Sequence, residues 1–210
     1  MAKSKDTKVE ASINGKEIDI TKLLENKHPI NITSGAIKDD YCHYGYKITE
    51  GPGAGDEIPT RKGAGIVMDD LKKAFDAFNV HAAIIDDVFK HTGKSTDDIS
   101  DLACDEITEL YKITGFKISG HSDNESISLI GSKYVSNAIG RMPIDTPKVV
   151  ISEGSTYKWY NELKAAADLV RREVELYMNG KYIREADLLP EANPDQTSLM
   201  NEEEFEGAKV

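Results

Sequence analysis

The sequence predicts an α+β domain: about five antiparallel strands in a 2 + 3 split, three helices inserted between the two groups, and a long C-terminal helix. Three observations carry this. Residues Tyr111–Ile151 hold three β-rich runs, Tyr111–Ser119, Ser126–Val135 and Met142–Ile151, separated by Gly, Ser, Asp and Asn, the spacing of an antiparallel meander. Residues 30–50 alternate like a hairpin around Lys38-Asp39-Asp40. In Tyr157–Met178 the apolar positions Tyr160, Leu163, Ala167, Val170, Val174 and Tyr177 step 3-4-3-4-3, one continuous helical stripe.

In chain order, residues 1–8 are polar and Lys-rich and are expected to be disordered. Val9–Ile20 reads as a small hairpin, because Asn14-Gly15 supplies the two positive-φ positions of a tight turn between alternating apolar residues. Thr21–Asn26 has room for one helical turn before Pro29. A second hairpin follows, 30–38 against 41–50. Gly51–Gly65, GPGAGDEIPTRKGAG, carries five Gly and two Pro in fifteen residues and is expected to be a mobile loop, either functional or a connector.

Asp69 or Asp70 can cap a helix bearing Leu71, Ala74, Phe75 and Phe78, and Asn79 separates it from Val80–Lys90. Helix is preferred over a short buried strand for Val80–Ile85, with Gly93 as its stop. Ser95 or Thr96 would cap a third helix carrying Ile99, Leu102, Ala103, Ile107 and Leu110. The long helix ends at Asn179-Gly180, and Glu185–Val210 is acidic and aperiodic, a disordered tail. The predicted organisation is thus 1–8 disordered, 9–184 a single α+β domain and 185–210 tail. Five antiparallel strands with an interposed helix fit an oligonucleotide-binding (OB-like) barrel and an open helix-backed sheet equally well.

The totals exclude several classes. At 210 residues, 39% hydrophobic and 30% charged, the chain suits one soluble core. No apolar run reaches 18 residues, and MAKSKDTKVEASING has no apolar stretch behind its lysines, so neither a membrane helix nor a secretory signal is expected. Cys42 and Cys104 lie far apart, so free thiols in a reducing cytoplasm are the expectation. Of the net charge of −11, −7 falls on residues 185–210. An acidic body argues against duplex binding over a whole basic face.

Enzyme signatures are missing. The Gly-rich segment lacks G-x-x-x-x-G-K-[ST], since Lys62 precedes Gly63. His28, His43, His81, His91 and His121 show no zinc spacing, and Asp87 with His91 at i, i+4 reads as a solvated helical pair. No G-x-S-x-G exists, and neither cysteine has activating neighbours in sequence. A non-enzymatic protein without metal or cofactor is expected.

Two constellations remain. Tyr41, His43, Tyr44, Tyr46 and Lys47 lie in the second hairpin, and Lys117, Lys133, Tyr134 and Arg141 lie on the meander beside Lys112 and Phe116. Interleaved rings and cations on strands suit sequence-tolerant binding of single strands, where each stacked base contributes about 1–3 kcal/mol and cations follow the phosphates. Each ring taken singly is also an ordinary core or rim residue. Strand alternation puts Tyr41 and His43 on one face and Tyr44 and Tyr46 on the other, so at most one set faces a ligand. The second constellation is Glu202, Glu203, Glu204, Phe205 and Glu206, an acidic tip that would dock on a protein partner or shield the chain's own basic groove, or simply solubilise the terminus.

The successions GAGIVMDDLKKAFDAFNVHAAIIDD and ITGFKISGHSDNESISLIGSKY, the Thr-Pro pair of IDTPKVVI, and YKWYNELKAAADLVRREVELYMNGK together carry a resemblance. Over roughly residues 30–182 the chain resembles a family of small uncharacterised proteins encoded by tailed bacteriophages, including gut phages. The resemblance implies a setting of DNA metabolism and transfers no site residue. Phage single-stranded-DNA-binding proteins are similar in size, acidity, β-rich core and acidic tail, although this chain ends in EGAKV rather than on its acidic-aromatic tip. The expected function is binding of single-stranded DNA, or help in handling it, during replication or recombination. The alternative is a protein-interaction module, such as a virion component or an inhibitor of a host protein. A third class is a small-molecule binder closed by Gly51–Gly65.

Overall fold

The structure, a computed structural model, describes residues 10–13, 16–19, 29–92, 97–120, 124–138 and 140–188. Glu10–Ile13 (β1) and Lys16–Asp19 (β2) pair antiparallel as a sheet of their own, with Ile13 opposite Lys16. The Asn14-Gly15 turn, the 21–26 turn, Gly93, Ser95, Thr96, residues 1–8 and the tip Glu202–Glu206 all lie outside the described residues.

The remaining strands form one eight-stranded antiparallel sheet, not five strands in two groups. They are Ile30–Lys38 (β3), Tyr41–Ile48 (β4), Glu57–Val67 (β5), Tyr111–Ser119 (β6), Ser126–Val135 (β7), Gly140–Asp145 (β8), Val149–Val150 (β9) and Tyr182–Ile183 (β10). Their order is β10-β5-β4-β3-β6-β7-β8, with β9 continuing beside β7 past the Thr146-Pro147 break. The hairpin β3–β4 and the meander β6–β7–β8 join through Ser34–Lys117, Gly35–Phe116 and Ala36–Gly115. The path does not close on itself, so the OB-like barrel gives way to an open sheet. Pro59 in β5 and Pro143 in β8 each lack a backbone donor, which suits strands at a sheet's margins.

The largest departure is the expected mobile loop. Thr49–Asp56 is a compact turn with Gly51, Gly53 and Gly55 at positive φ, closed by Gly55 N donating to Ile48 O at 2.9 Å and Ala54 N to Gly51 O at 3.1 Å. Residues 57–65 are not loop at all but the body of β5. Glycine is required there for close approach: a Cβ on Gly63 would lie 2.2 Å from the Tyr177 ring, and one on Gly65 2.2 Å from the Tyr182 ring.

Helices cover one face. Asp69–Asp76 (α1) and Phe78–Ile85 (α2) are separated by Ala77 alone, so Val80–Ile85 is helix. Asp69 and Asp70 sit in the first turn of α1 rather than capping it; Met68 holds the cap position without a side-chain bond. Asn79 is no break either. Its Oδ1 accepts from Ile113 N at 2.8 Å and fastens α2 to β6. The third predicted helix divides at Cys104-Asp105 into Ile99–Ala103 (α3) and Glu106–Glu109 (α4), started by Asp98 and Asp105, whose carboxylates accept from Ser100 N and Ile107 N at 2.8 and 2.9 Å. Tyr160–Met178 (α5) buries Leu163, Ala167, Val170, Val174 and Tyr177 against the sheet. Among the described residues no helix is long and apolar enough to cross a membrane.

Phe116 from β6 meets Phe75 and Phe78 at ring distances of 6.0 Å each, and that triad is the centre of the core. Two ion clusters fix α5. Arg171, beside the apolar stripe of α5, holds Glu125 through two bonds of 3.2 and 2.9 Å and donates Nε to Ile32 O at 3.2 Å. Lys181, only 5% exposed, bonds Glu173 at 2.7 Å and Asp70 at 2.9 Å, tying the end of α5 to the start of α1.

Candidate nucleic-acid interface

With α1, α2 and α5 on one side, strand alternation assigns the predicted residues to two environments. Tyr44 and Tyr46 point to the helix side. Their rings lie 6.5 Å apart, Tyr44 meets Tyr177 edge-on at 6.3 Å, and Arg61 both covers the Tyr46 ring at 5.4 Å and donates to its hydroxyl at 2.9 Å. They are core and rim, not a stacking platform. Burial raises the Tyr44 hydroxyl above its ordinary value, against the pull of Arg61. Phe116 is buried likewise.

Lys133 is also on the helix side. Its ammonium bonds Asp86 at 2.5 Å beside the Tyr111 ring, and Tyr111 Oη donates to the same carboxylate at 2.5 Å. Burial works to raise the Asp86 carboxyl, but the bonds from Lys133 and Tyr111 outweigh it and hold it below the usual carboxylate value. Tyr111 itself is pushed up to about 12, by burial and then by Asp86. This is a structural clamp between α2 and the β6–β7 pair.

The helix-free face gathers the others. Tyr41, His43, Lys117, Tyr134 and Arg141 lie there with Lys112, joined by Lys38 and Lys62, which local sequence places in a turn and a loop. Register sets them out in rows across the sheet. One row runs Lys62, His43, Ala36, Gly115, Ile130, Asp145. Beside it runs Gly45, Ser34, Lys117, Ser128. On the other side lie the pairs Tyr41–Lys38 and Lys112–Ser132, and then Tyr134–Arg141.

Small residues in the middle of these rows leave a trough of ≈ 380 Å³, bordered by Lys38, His43, Lys117, Thr60, Glu57 and Ile130. Its floor is fixed by Ser34 and Thr60, whose hydroxyls meet at 3.1 Å across Gly45. Lys62 stands 3.4 Å from the centre of the Tyr41 ring, and Arg141 donates to Ser132 Oγ at 3.2 Å beside Tyr134, which is 40% exposed. Lys47 is not part of the trough: at the far end of β4 it lines a second cavity with Asn31, Glu125 and Lys164.

Other titratable groups are built into the fold. His81 is buried, its Nδ1 2.9 Å from Tyr157 Oη, and burial lowers it to about 4. Burial pushes the Cys42 thiol up to about 12, while Cys104 is exposed. Among the described residues no three His, Cys, Asp or Glu side chains converge on a common metal position.

The fold and face together define an open antiparallel sheet, helix-backed on one side and basic on the other. No protein-family model, no curated protein and no solved structure matches the chain.

Proposed function

We propose that this protein binds single-stranded nucleic acid on the helix-free face of its sheet, as a non-enzymatic DNA-handling protein of phage replication or recombination. One observation carries the reading. In a chain of net charge −11, the strand residues of this face supply Lys38, Lys62, Lys112, Lys117 and Arg141 against Glu57 and Asp145. Such a concentration attracts a polyanion locally while the rest of the molecule repels it. The small-residue trough leaves bases room to lie against the sheet, and the hydroxyls of Ser34 and Thr60 at its floor can hydrogen-bond them. A titration of fluorescently labelled oligonucleotide at about 50 and about 200 mM salt tests it. Binding at the lower concentration that weakens at the higher is expected; no binding at low salt overturns it.

A protein-docking reading is favoured by a different feature, the exposed apolar residues Ile130, Met142 and Val150 along the β7–β8–β9 margin. The acidic segment Glu202–Glu206 would add a second docking element. A stable complex recovered from infected cells, disrupted by Met142→Asp and unaffected by Lys117→Gln, would support that reading over the first.

A further inference from the structure

The placement of charge on the helix-free face says how a single strand would lie on it, an inference that rests on the function proposed above. The cations are not aligned along any one β-strand. Lys62 is on β5, Lys38 on β3, Lys112 and Lys117 on β6 and Arg141 on β8, so they follow the direction across the sheet. Lys117 stands on one side of the Ala36–Gly115 row, and Lys38 and Lys112 on the other, which leaves a path between them over residues with almost no side chain. At the β8 end Asp145 closes that row to an anion, while Arg141 and the exposed Tyr134 ring sit four residues away on the same strand pair. At the β5 end, Lys62 is held over Tyr41.

We infer that the strand crosses the β-strands at a steep angle, entering over Lys62 and His43, passing between Lys117 and Lys38–Lys112, and leaving at Tyr134 and Arg141. The five strand-to-strand steps from β5 to β8 span about 24 Å at ~4.8 Å each. An unstacked strand rises roughly twice the ~3.4 Å of a stacked one, so the face takes about four nucleotides. Only one freely exposed tyrosine lies on this path. Phosphate neutralisation therefore dominates, with a single stacked base at the Tyr134 end. Four neutralised phosphates give a salt slope of about −2.8, or roughly a fifty-fold weakening between 50 and 200 mM salt.

The experiment is an anisotropy series with labelled oligo-dT of two, four, six, eight and twelve nucleotides against the full chain at low salt. It is repeated for Lys117→Gln, Tyr134→Ala and, as an off-face control, Arg172→Gln on α5, with circular dichroism on each variant. Affinity is expected to rise steeply to about four nucleotides and thereafter only in proportion to the number of registers. Lys117→Gln is expected to lower the salt slope by about 0.7, and Arg172→Gln to leave it unchanged. A plateau reached only beyond about eight nucleotides, or a larger effect of Arg172→Gln than of Lys117→Gln, overturns the crossing path while leaving single-strand binding intact. Absence of binding at every length overturns both.

Discussion

The Tyr177 hydroxyl closes on the backbone of Gly65, donating to its carbonyl and accepting from its amide at 3.3 Å, although the two residues are 112 positions apart. With the ring lying where a Gly63 side chain would be, this contact fixes the β5 edge of the sheet to α5.

Gly63→Ala should therefore be costly out of proportion to its size. The Tyr177 ring is 2% exposed and has no room to withdraw from a Cβ 2.2 Å away. A loss of about 1–3 kcal/mol is expected in urea unfolding, as for other overpacked sites. An unchanged midpoint would mean that β5 does not sit on α5 as described.

Removing Arg171 should be among the most damaging changes to a polar side chain. The Arg171 and Glu125 side chains are 15% and 13% exposed, and burial of Glu125 is outweighed by Arg171, which holds that carboxyl below its usual value. Arg171→Ala removes both guanidinium bonds from Glu125, leaving it to Asn31 and the Lys164 charge, and takes a donor from Ile32 O, so about 2–4 kcal/mol is expected. Arg171→Lys should recover only part of it, since an ammonium cannot make the paired bonds. Equal stability of the lysine variant and the parent, read from denaturation midpoints, would contradict this.

Stability should fall in acid over a defined window. His81 is neutral and buried, with its folded value near 4 against an ordinary 6.5. Above pH 6.5 neither state binds the proton and no destabilisation arises from it. Between 6.5 and 4 the unfolded chain takes up a proton that the fold refuses, so stability drops as pH falls, by on the order of 3 kcal/mol in total, and levels off below 4. Asp86 and Glu125, both held low in the fold, subtract further stability in the same direction as the pH falls into the carboxylate range. His81→Gln should flatten the 6.5–4 part of a stability–pH curve; an unaltered slope there would rule the histidine out.

The two faces of β4 should respond oppositely to mutation. Tyr44→Ala removes a ring packed on Tyr46 and Tyr177 and is expected to lower stability by about 2–4 kcal/mol. Tyr134→Ala, at an exposed ring, should leave the unfolding midpoint within about 0.5 kcal/mol while weakening oligonucleotide affinity by about 1–3 kcal/mol. Stability and binding measured on both variants would expose a reversal of these roles.

These contrasts also show where local sequence carries information and where it does not. The β6–β7 pairing was legible because alternation is a neighbour property: Ile127 and Leu129, two apart, are both buried, whereas Ile113 and Ile118, five apart, share that face only through the register shift between Ile113 and Gly115. β5 was not legible. Its glycines look like a flexible connector until Tyr177 and Tyr182 are known to lie against them, and no window around residue 63 contains that fact. The tyrosines of β4 fall between. Alternation divided Tyr41 and His43 from Tyr44 and Tyr46, but which pair was covered depended on where α5 landed. Lys38 and Lys62 escaped notice for the same reason, since each belongs to the basic face only through its cross-strand partners, Tyr41 and His43.

The prolines at the sheet's margins have a consequence for the molecule in company. Among the described residues, the open sheet leaves the outer side of β8 and most of the outer side of β5 without a partner strand, and such borders would ordinarily be a template on which further copies could grow. Pro59 and Pro143 interrupt the donor pattern of β5 and β8, and charged neighbours Arg61, Lys62, Arg141 and Asp145 flank them. On the function proposed above, copies crowded along a common strand of nucleic acid would then lie side by side without fusing their sheets, and coverage of the strand would stay reversible.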